Sequence, residues 1–563
     1  MPAPDTMPAA APPTARTKGE IKVWMTAAGL TVGLVMIACL LLLIAANGLG
    51  VFWPDKVTEY TVRGADGTVS KVAGTLVKTQ QRRTGAGELV SERQIFTGNK
   101  EVYGLAFRYL QQAEIGGEEQ PGDIYVAERL KDGDAIFRPL RLERADGAML
   151  AATEASFAEE LQRMVKLGNQ NREKAGEPVQ DKLVYQLPTG EERTQNVADI
   201  LHFYRPNQLS VWGRFGVFFH SLWEFLSEEP RESNTEGGIF PAMFGTFVMT
   251  LLMAILVTPL GIIAAIYMRE YATQGMMVRA VRICVNNLAG VPSIVFGVFG
   301  VGFFIYGMGG FIDRGVKYPI PPMWWFIAGI GAVASVAAAV YLSAHNRTAI
   351  PTQKKRQKAL RKLEGMLWLL GFALVVIVIA CCPYFHGFFN TSTPTPTFGT
   401  GGILWASLTL ALMTLPVVIV ATEEALVAVP RGVREAALAC GASKWQTIQR
   451  IVLPGALPGV MTGVILAMAR GAGEVAPLMI TGVTKFAPSL PLDLDPPFIH
   501  AERAFMHLGF HIYDLGFQSP DSEGAKPMVF ATTLLLIVLV VTLNLAAIQI
   551  RAHLRKRFQA SAF

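Results

Sequence analysis

The chain has 563 residues, 51% of them hydrophobic, and a positive mean hydropathy, which excludes an ordinary soluble globular protein and indicates a polytopic membrane protein. The formal net charge of +6 is modest; the basic residues gather in short loops, as membrane proteins commonly arrange them, so nucleic-acid binding is the weaker reading. The five cysteines, Cys39, Cys284, Cys381, Cys382 and Cys440, all lie outside the polar region 54–215, which excludes a disulfide-stapled domain there.

Residues 1–23 read as a cytoplasmic tail, Pro- and Ala-rich over its first 15 residues and expected to be disordered there. The apolar run 24–49 is long and no small-residue cleavage site clearly follows it, so it is expected to stay as a first membrane helix. The block 50–238 is expected to be a small α+β periplasmic domain followed by an interfacial helix. Within it VRGADGTVSKVAGTLVK (62–78) reads as a hairpin turning at Asp66-Gly67. Phe157, Leu161, Met164, Val165 and Gly168 recur at helical spacing, and 181–192 reads as a strand. Segment 208–226, with Trp212, Phe215, Phe218, Phe219 and Trp223, reads as an amphipathic helix at the membrane surface.

Apolar spans follow near 242–267, 283–308, 322–344, 365–385, 402–427, 455–484 and 528–549, which makes eight with the first. Lys18 and Lys22, then Arg269, Arg279 and Arg282, then the basic segment 345–365, then Arg431, Arg434, Lys444 and Arg450, then Arg551, Arg555, Lys556 and Arg557 all fall on one side if eight spans alternate. The excess of Lys and Arg makes that side cytoplasmic and puts both termini there.

Between two of these spans lies EAALACGASKWQTIQRIVLP, residues 435–454. It reads as two short helices turning at Gly441, where the absence of a Cβ makes a C-cap cheap, with Pro454 suited to the first turn of a new helix. A polar helix–turn–helix between spans is suited to docking on another protein at the cytoplasmic face. Glu435, Ala436, Ala437, Gly441, Ile451, Leu453 and Pro454 match the EAA-x3-G-x9-I-x-LP loop of ABC-importer permeases at every named position. The flanks NNLAGVPSIVFG (286–297), PVVIVATEEALVAVPRGVRE (416–435) and ILAMARGAGEVAPLMITG (465–482) resemble the PstA-type permeases of bacterial phosphate importers, over a stretch from about residue 203 to the C-terminus.

The resemblance implies an all-α type I importer permease domain over 239–550, a basic cytoplasmic tail at 551–563 and an inner-membrane location. It implies that Glu435, Ala436, Ala437 and Gly441 form a coupling helix and its turn. The implied partners are a second permease of PstC type, a pair of ATPase subunits of PstB type and a periplasmic phosphate-binding protein of PstS type. Residues from about 311 to 395, with their basic loop, depart from the family's six-span plan and read as an inserted helical hairpin; its charges suit anionic lipid or simply the positive-inside rule, which is favoured. No GxxxxGK[ST] pattern occurs, so ATP and Mg are expected on a partner chain and no cofactor on this one.

Arg470 and Glu474 lie four residues apart on one helical face of the seventh span, where an isolated charge costs about 2.5–3.5 kcal/mol. Two readings stand: a local ion pair, or an arginine that attracts an oxyanion while Glu474 holds its guanidinium, and the second is favoured because an arginine fork suits phosphate. Asn286 and Asn287, one turn inside the third span, with Pro292 and Ser293 beyond, read equally as a gate hinge or a packed kink, the Asn amides and Ser293 meeting the freed backbone groups. Glu423 and Glu424 are expected to position the loop. Gly297, Gly300 and Gly302 are read as close helix packing and His500, His507 and His511 as satisfied interfacial histidines, with no metal site. The sequence thus points to a permease for inorganic phosphate and not to an enzyme, with another oxyanion such as molybdate or sulfate, or a membrane sensor, as rivals.

Overall fold

The computed structural model describes residues 21–64, 68–83, 89–174, 179–348, 354–388, 397–519 and 522–559. Most of the N-terminal tail, the Asp66-Gly67 turn and the middle of the basic segment 345–365 lie outside the described residues. Among the described residues eight helices are long and apolar enough to cross a membrane. The chain divides into two compact units, one formed by the residues up to Trp223 with Asp521–Leu534, the other by Glu224–Pro520 with Leu535–Phe563.

In the first unit, α1 (Ile21–Gly50) is exposed along nearly its whole length, as a lipid-facing helix would be. It is approached only near its end, where a Cβ at Gly48 would sit 3.0 Å from the Phe530 carbonyl oxygen. Eleven strands then form two antiparallel sheets. The first has the order β4-β3-β2-β1-β5, from β1 (Thr58–Arg63), β2 (Val69–Arg83), β3 (Leu89–Phe96), β4 (Phe107–Gln111) and β5 (Ile115–Glu119). Tyr60 faces Val72 across it, so the expected hairpin is present.

The second sheet has the order β10-β9-β7-β6-β11, from β6 (Tyr125–Arg129), β7 (Ala135–Glu143), β9 (Lys182–Gln186), β10 (Glu192–Asn196) and β11 (Ile200–Tyr204), with β8 (Met149–Ala151) beside β7. A short α2 (Lys100–Tyr103) leads towards β4. Helix α3 (Phe157–Glu173) buries Phe157, Leu161 and Val165, at the expected spacing, in one core with Leu142, Leu183 and Tyr185 of the second sheet. Each such side chain contributes about 1.5–3 kcal/mol by leaving water.

Arg129 is buried in this unit without an exposed charge, because its fork reaches both carboxylate oxygens of Glu101 at 2.7 Å and its Nε donates to the Gly133 carbonyl at 2.9 Å. Helix α4 (Val211–Ser227) lays Phe215 and Phe218 on Trp53 at 5.2 and 6.1 Å, while Trp212, Phe219 and Trp223 stay exposed. That is the two-faced helix expected there.

Among the described residues the second unit is mostly helix, with a small hairpin at 230–237 and isolated bridges at Val483–Phe505 and Leu492–Ile499. Its core is α5 (Phe240–Ile266), α11 (Ile403–Ala428) and α14 (Leu453–Gly473). Met249, Met253 and Val257 meet Leu410, Met413 and Val418 and also Val464, Ala467 and Met468 in one apolar cluster. In lipid no hydrophobic gain separates one apolar neighbour from another, so close approach of backbones decides the pairing. Gly459 and Gly463 of α14 face Ala425 and Ala421 of α11: a Cβ at either glycine would lie 2.5 and 2.6 Å from the opposing alanine Cβ. Several hydroxyls in this core bond backwards to carbonyls, as Thr246 does to Ala242 at 2.7 Å and Thr414 to Leu410 at 2.8 Å, whereas those of Ser407 and Thr422 on α11 are buried with no partner among the described residues.

Two expected spans differ from the structure. The third does not run unbroken through 283–308: α6 (Met276–Leu288) is a separate, mostly exposed helix, and the span begins at α7 (Ser293–Phe299) and continues through a π-helical stretch, Gly300–Gly309, into α8 (Gly310–Arg314). Pro292 causes the change. With no N–H to give it stands at ψ 135 as the cap of α7. The seventh, expected at 455–484, ends at Gly473; α15 (Leu478–Thr481) is a short turn, and the chain then runs irregularly to α16 (Leu508–Tyr513) and the last span, α17 (Ser522–Gln559).

The expected hairpin is formed by α9 (Pro322–Thr348) and α10 (Lys354–Ala380), joined across Trp325, whose indole donates to the Val378 carbonyl at 2.9 Å. Asp313 closes its base by accepting from the Phe398 and Gly399 amides at 2.9 and 2.6 Å.

Gly463→Leu is expected to force α14 off α11 and to lower stability by about 1–3 kcal/mol, read as an earlier thermal transition of the detergent-solubilised protein. An unshifted transition would mean that the two helices are not held by this contact.

Candidate functional site

The elbow at 431–454 forms for local reasons. Pro430 cannot continue α11, so α12 (Arg431–Ala439) starts after it. Gly441 takes φ +83, the left-handed region open to glycine, and ends that helix. Ser443 opens α13 (Lys444–Thr447) with a capping box: its Oγ accepts from Gln446 N at 3.2 Å while its own N–H donates to Gln446 Oε1 at 2.8 Å.

Pro454 stands in the first turn of α14, as expected, but that helix does not start afresh from a loop. Helix α13 runs through a π-helical turn, Ile448–Val452, directly into α14. The widened turn lies just where a proline interrupts the α-helical ladder.

The elbow has two faces. Ile448 and Val452 are buried in one cluster with Leu426 and Met268, Ala437 is also buried, and Ile451 and Leu453 are partly covered. Glu435 and Ala436 are exposed, as are Leu438 and Trp445 at 50% and 54%. The motif's Glu and first Ala therefore look outward and its Ile, Leu and second Ala hold the elbow down.

Two salt links at this end were not visible in the sequence. Arg434 Nη1 donates to Glu270 Oε1 at 2.5 Å, and Arg282 Nη2 to Glu423 Oε1 at 3.3 Å. Both join residues more than 140 positions apart, a pairing that no local pattern announces. Glu423 is thus paired to α6 through Arg282, while Glu424 is exposed.

At the opposite end of α14 the structure corrects the placing of the charged pair. Arg470 is not central in a long span but in the last turn of α14, about 25 Å along the axis from Leu453. Glu474, at φ −81 and ψ 130, is the residue that ends the helix. Arg470 Nε lies 3.5 Å from Glu474 Oε1, with 37% and 22% of the two side chains exposed. No other described residue bonds the guanidinium, so its Nη groups are open. Position at the carbonyl end of a helix favours this cation.

Beyond the break, His507 caps α16: its Nδ1 accepts from Gly509 N at 3.1 Å. Nδ1 is then the unprotonated nitrogen, and the buried Nε2–H has no partner among the described residues. Burial drives the His507 imidazole down to about 3 and that of His511 to about 4, so both are neutral. All three histidines are buried; His507 Nε2 and His511 Nδ1 have no partner among the described residues, whereas His500 is satisfied by Asp493 Oδ1 at 2.9 Å. Lys485 Nζ pairs with buried Asp514 at 3.0 Å beside them. Among the described residues no group of three His, Cys, Asp or Glu side chains is placed to hold a metal.

The Asn286–Ser293 segment is a break between two helices and not a kink within one. Backbone groups satisfy it: Gly290 N donates to the Asn287 carbonyl at 3.0 Å and Val291 N to that of Leu288 at 3.3 Å. The Asn286 and Asn287 amides, expected to serve there, are exposed. Gly297 and Gly300 are packing contacts, against Pro477 and Thr409, but Gly302 has open space where a Cβ would stand.

Residues 366–559 match the family described as "Binding-protein-dependent transport system inner membrane component". The chain is 29% identical over 340 residues to "Phosphate transport system permease protein PstA 1" of Mycobacterium tuberculosis (strain CDC 1551 / Oshkosh), covering 60% of this chain and 77% of that one. It is 24% identical over 352 residues to "Probable ABC transporter permease protein YqgI" of Bacillus subtilis (strain 168), covering 60% and 86%, and 27% identical over 270 residues to the PstA of Yersinia pestis, covering 48% and 61%. Eight apolar helices, the outward-facing elbow and these matches define a multi-pass inner-membrane permease of the ABC-importer class. Within that class its likeness is to permeases of PstA type. It is a transport subunit and not an enzyme, and its class works with ATPase and binding-protein partners.

The buried histidines fix a pH dependence. The ordinary value is 6.5, and the folded value of His507 is about 3, so the unfolded chain takes up the proton first and stability falls as pH drops from 6.5 towards 3. Between pH 6.5 and 5 this loss is on the order of 1–2 kcal/mol for His507. His507→Asn, which keeps an acceptor at the cap, is expected to flatten the fall of melting temperature over that range; an equally steep profile would place the titration elsewhere.

Proposed function

We propose that this chain is one half of the translocation pathway of an importer of inorganic phosphate. Its partners on this reading are a PstC-type permease, a pair of PstB-type ATPases carrying ATP and Mg, and a PstS-type binding protein. The observation that carries the anion is Arg470: a guanidinium steadied at Nε by Glu474, with both Nη groups open, at the end of a helix of the apolar core. A fork so held can give a phosphate oxygen pair two parallel hydrogen bonds. The names of the M. tuberculosis and Y. pestis relatives favour phosphate over another oxyanion.

On the same reading the exposed face of the elbow, with Glu435 and Ala436, bears on an ATPase subunit. The turn at Gly441 lets α12 move against α13, and closure of the ATPases changes access to the pathway. The elbow and both termini are then cytoplasmic, and the break at Glu474 faces the opposite side.

Uptake of radiolabelled phosphate into vesicles holding the four-subunit complex, with sulfate and molybdate as competitors, tests the substrate. Phosphate alone competing fully supports the reading, and preferential inhibition by molybdate or sulfate replaces it with the other oxyanion. Arg470→Gln is expected to lower uptake by about tenfold, the loss of one or two charge-assisted hydrogen bonds, with assembly intact; unchanged kinetics would leave the pair a structural role. Gly441→Val, which strains a residue at φ +83, is expected to abolish uptake while the protein still inserts.

A further inference from the structure

Helices α11 and α14 are covalently joined to the elbow, but the third core helix, α5, is not. Its end is a π-helical turn, Tyr267–Tyr271, and both arms of the elbow converge on it. Arg434, on the arm before Gly441, holds the Glu270 carboxylate at 2.5 Å and also donates to the Leu426 carbonyl at the end of α11. Lys444, on the arm after Gly441, donates to the Glu270 carbonyl, and its ammonium stands 5.1 Å from the centre of the Tyr271 ring. Glu270 and Arg434 are only 12% and 20% exposed, so solvent screens the pair little.

We infer that Glu270 is the positioning residue through which movement of the elbow reaches α5. Gly441 separates the two arms, so bending there shifts Arg434 and Lys444 relative to one another. Glu270 is gripped by both and cannot follow one without leaving or dragging the other. The π-helical turn that carries it can lose or move its extra residue with little loss of hydrogen bonding, which lets the end of α5 respond while its packed middle stays in place. Arg434 ties α5 and α11 to one arm with a single planar fork, its Nη1 on Glu270 and its Nη2 on the Leu426 carbonyl; a lysine, with one nitrogen, would have to bring both acceptors to a single point. The inference rests on the importer reading above, because it assigns a route for a motion that the ATPases would supply.

The test uses the four-subunit complex in vesicles, with ATP hydrolysis and phosphate uptake measured together. Wild-type uptake, measured first, decides the importer reading independently of any variant. Glu270→Ala is then expected to assemble and hydrolyse ATP but to import about tenfold less phosphate per ATP. Glu270→Gln, whose amide oxygen still accepts from Arg434, is expected to keep most of that ratio. A wild-type ratio in Glu270→Ala overturns the inference, as does equal damage from Gln and Ala. Should Glu270→Ala not assemble, Arg434→Lys decides: a lowered ratio supports the inference and a wild-type ratio overturns it.

Discussion

The contact between Gly459 and Gly463 on one helix and Ala425 and Ala421 on the other sets the geometry of the whole second unit. Small residues let the backbones of α11 and α14 come within reach of dispersion forces along much of their length, and a third helix, α5, closes the cluster with methionine and valine side chains. Because α14 is fixed in this way, its two ends are fixed as well. One end is the elbow and the other is the Arg470–Glu474 pair. A displacement at either end has to be carried by a rod that is well packed in the middle.

The two ends are built on different principles. At the elbow, capping, a left-handed glycine and a π-helical turn give a defined shape that can still be bent. Salt links then fasten that shape to neighbouring helices. At the far end the helix simply stops: Glu474 turns extended, and after the single turn of α15 a buried N-cap histidine starts α16 some thirty residues later. In the stretch beyond it Lys485 is paired with Asp514 and burial keeps His507 and His511 neutral, while the Nη groups of Arg470 have no partner among the described residues. That open guanidinium is the feature on which the proposed anion contact rests.

Much of this was legible in the residues themselves. Hydropathy marked all eight spans, and the helical spacing of Phe157, Leu161 and Val165 marked the face that α3 buries. The elbow's turn followed from Gly441. The errors share a cause. Apolar composition continues through Pro292 and through Glu474, so a hydropathy window runs on where the backbone cannot. Most of the eleven strands were missed, since short strands such as ERTQN at 192–196 carry no alternation to detect. Glu270 was missed because its meaning comes from Arg434 and Lys444, over 160 residues away.

The base of the α9–α10 hairpin has a consequence for how such a chain is put together. Asp313 binds the amides of Phe398 and Gly399, and the backbone at Gly315 lies against that of His386 and Gly387, where a Cβ would stand 2.6 Å from the His386 carbonyl carbon. The two strands of chain that lead out to the hairpin and back therefore touch. Some seventy residues (316–385) could be spliced in or cut out with no more than a short peptide to reconnect the ends. The hairpin is in this sense a detour, tied off at its neck, that leaves the path of the core untouched.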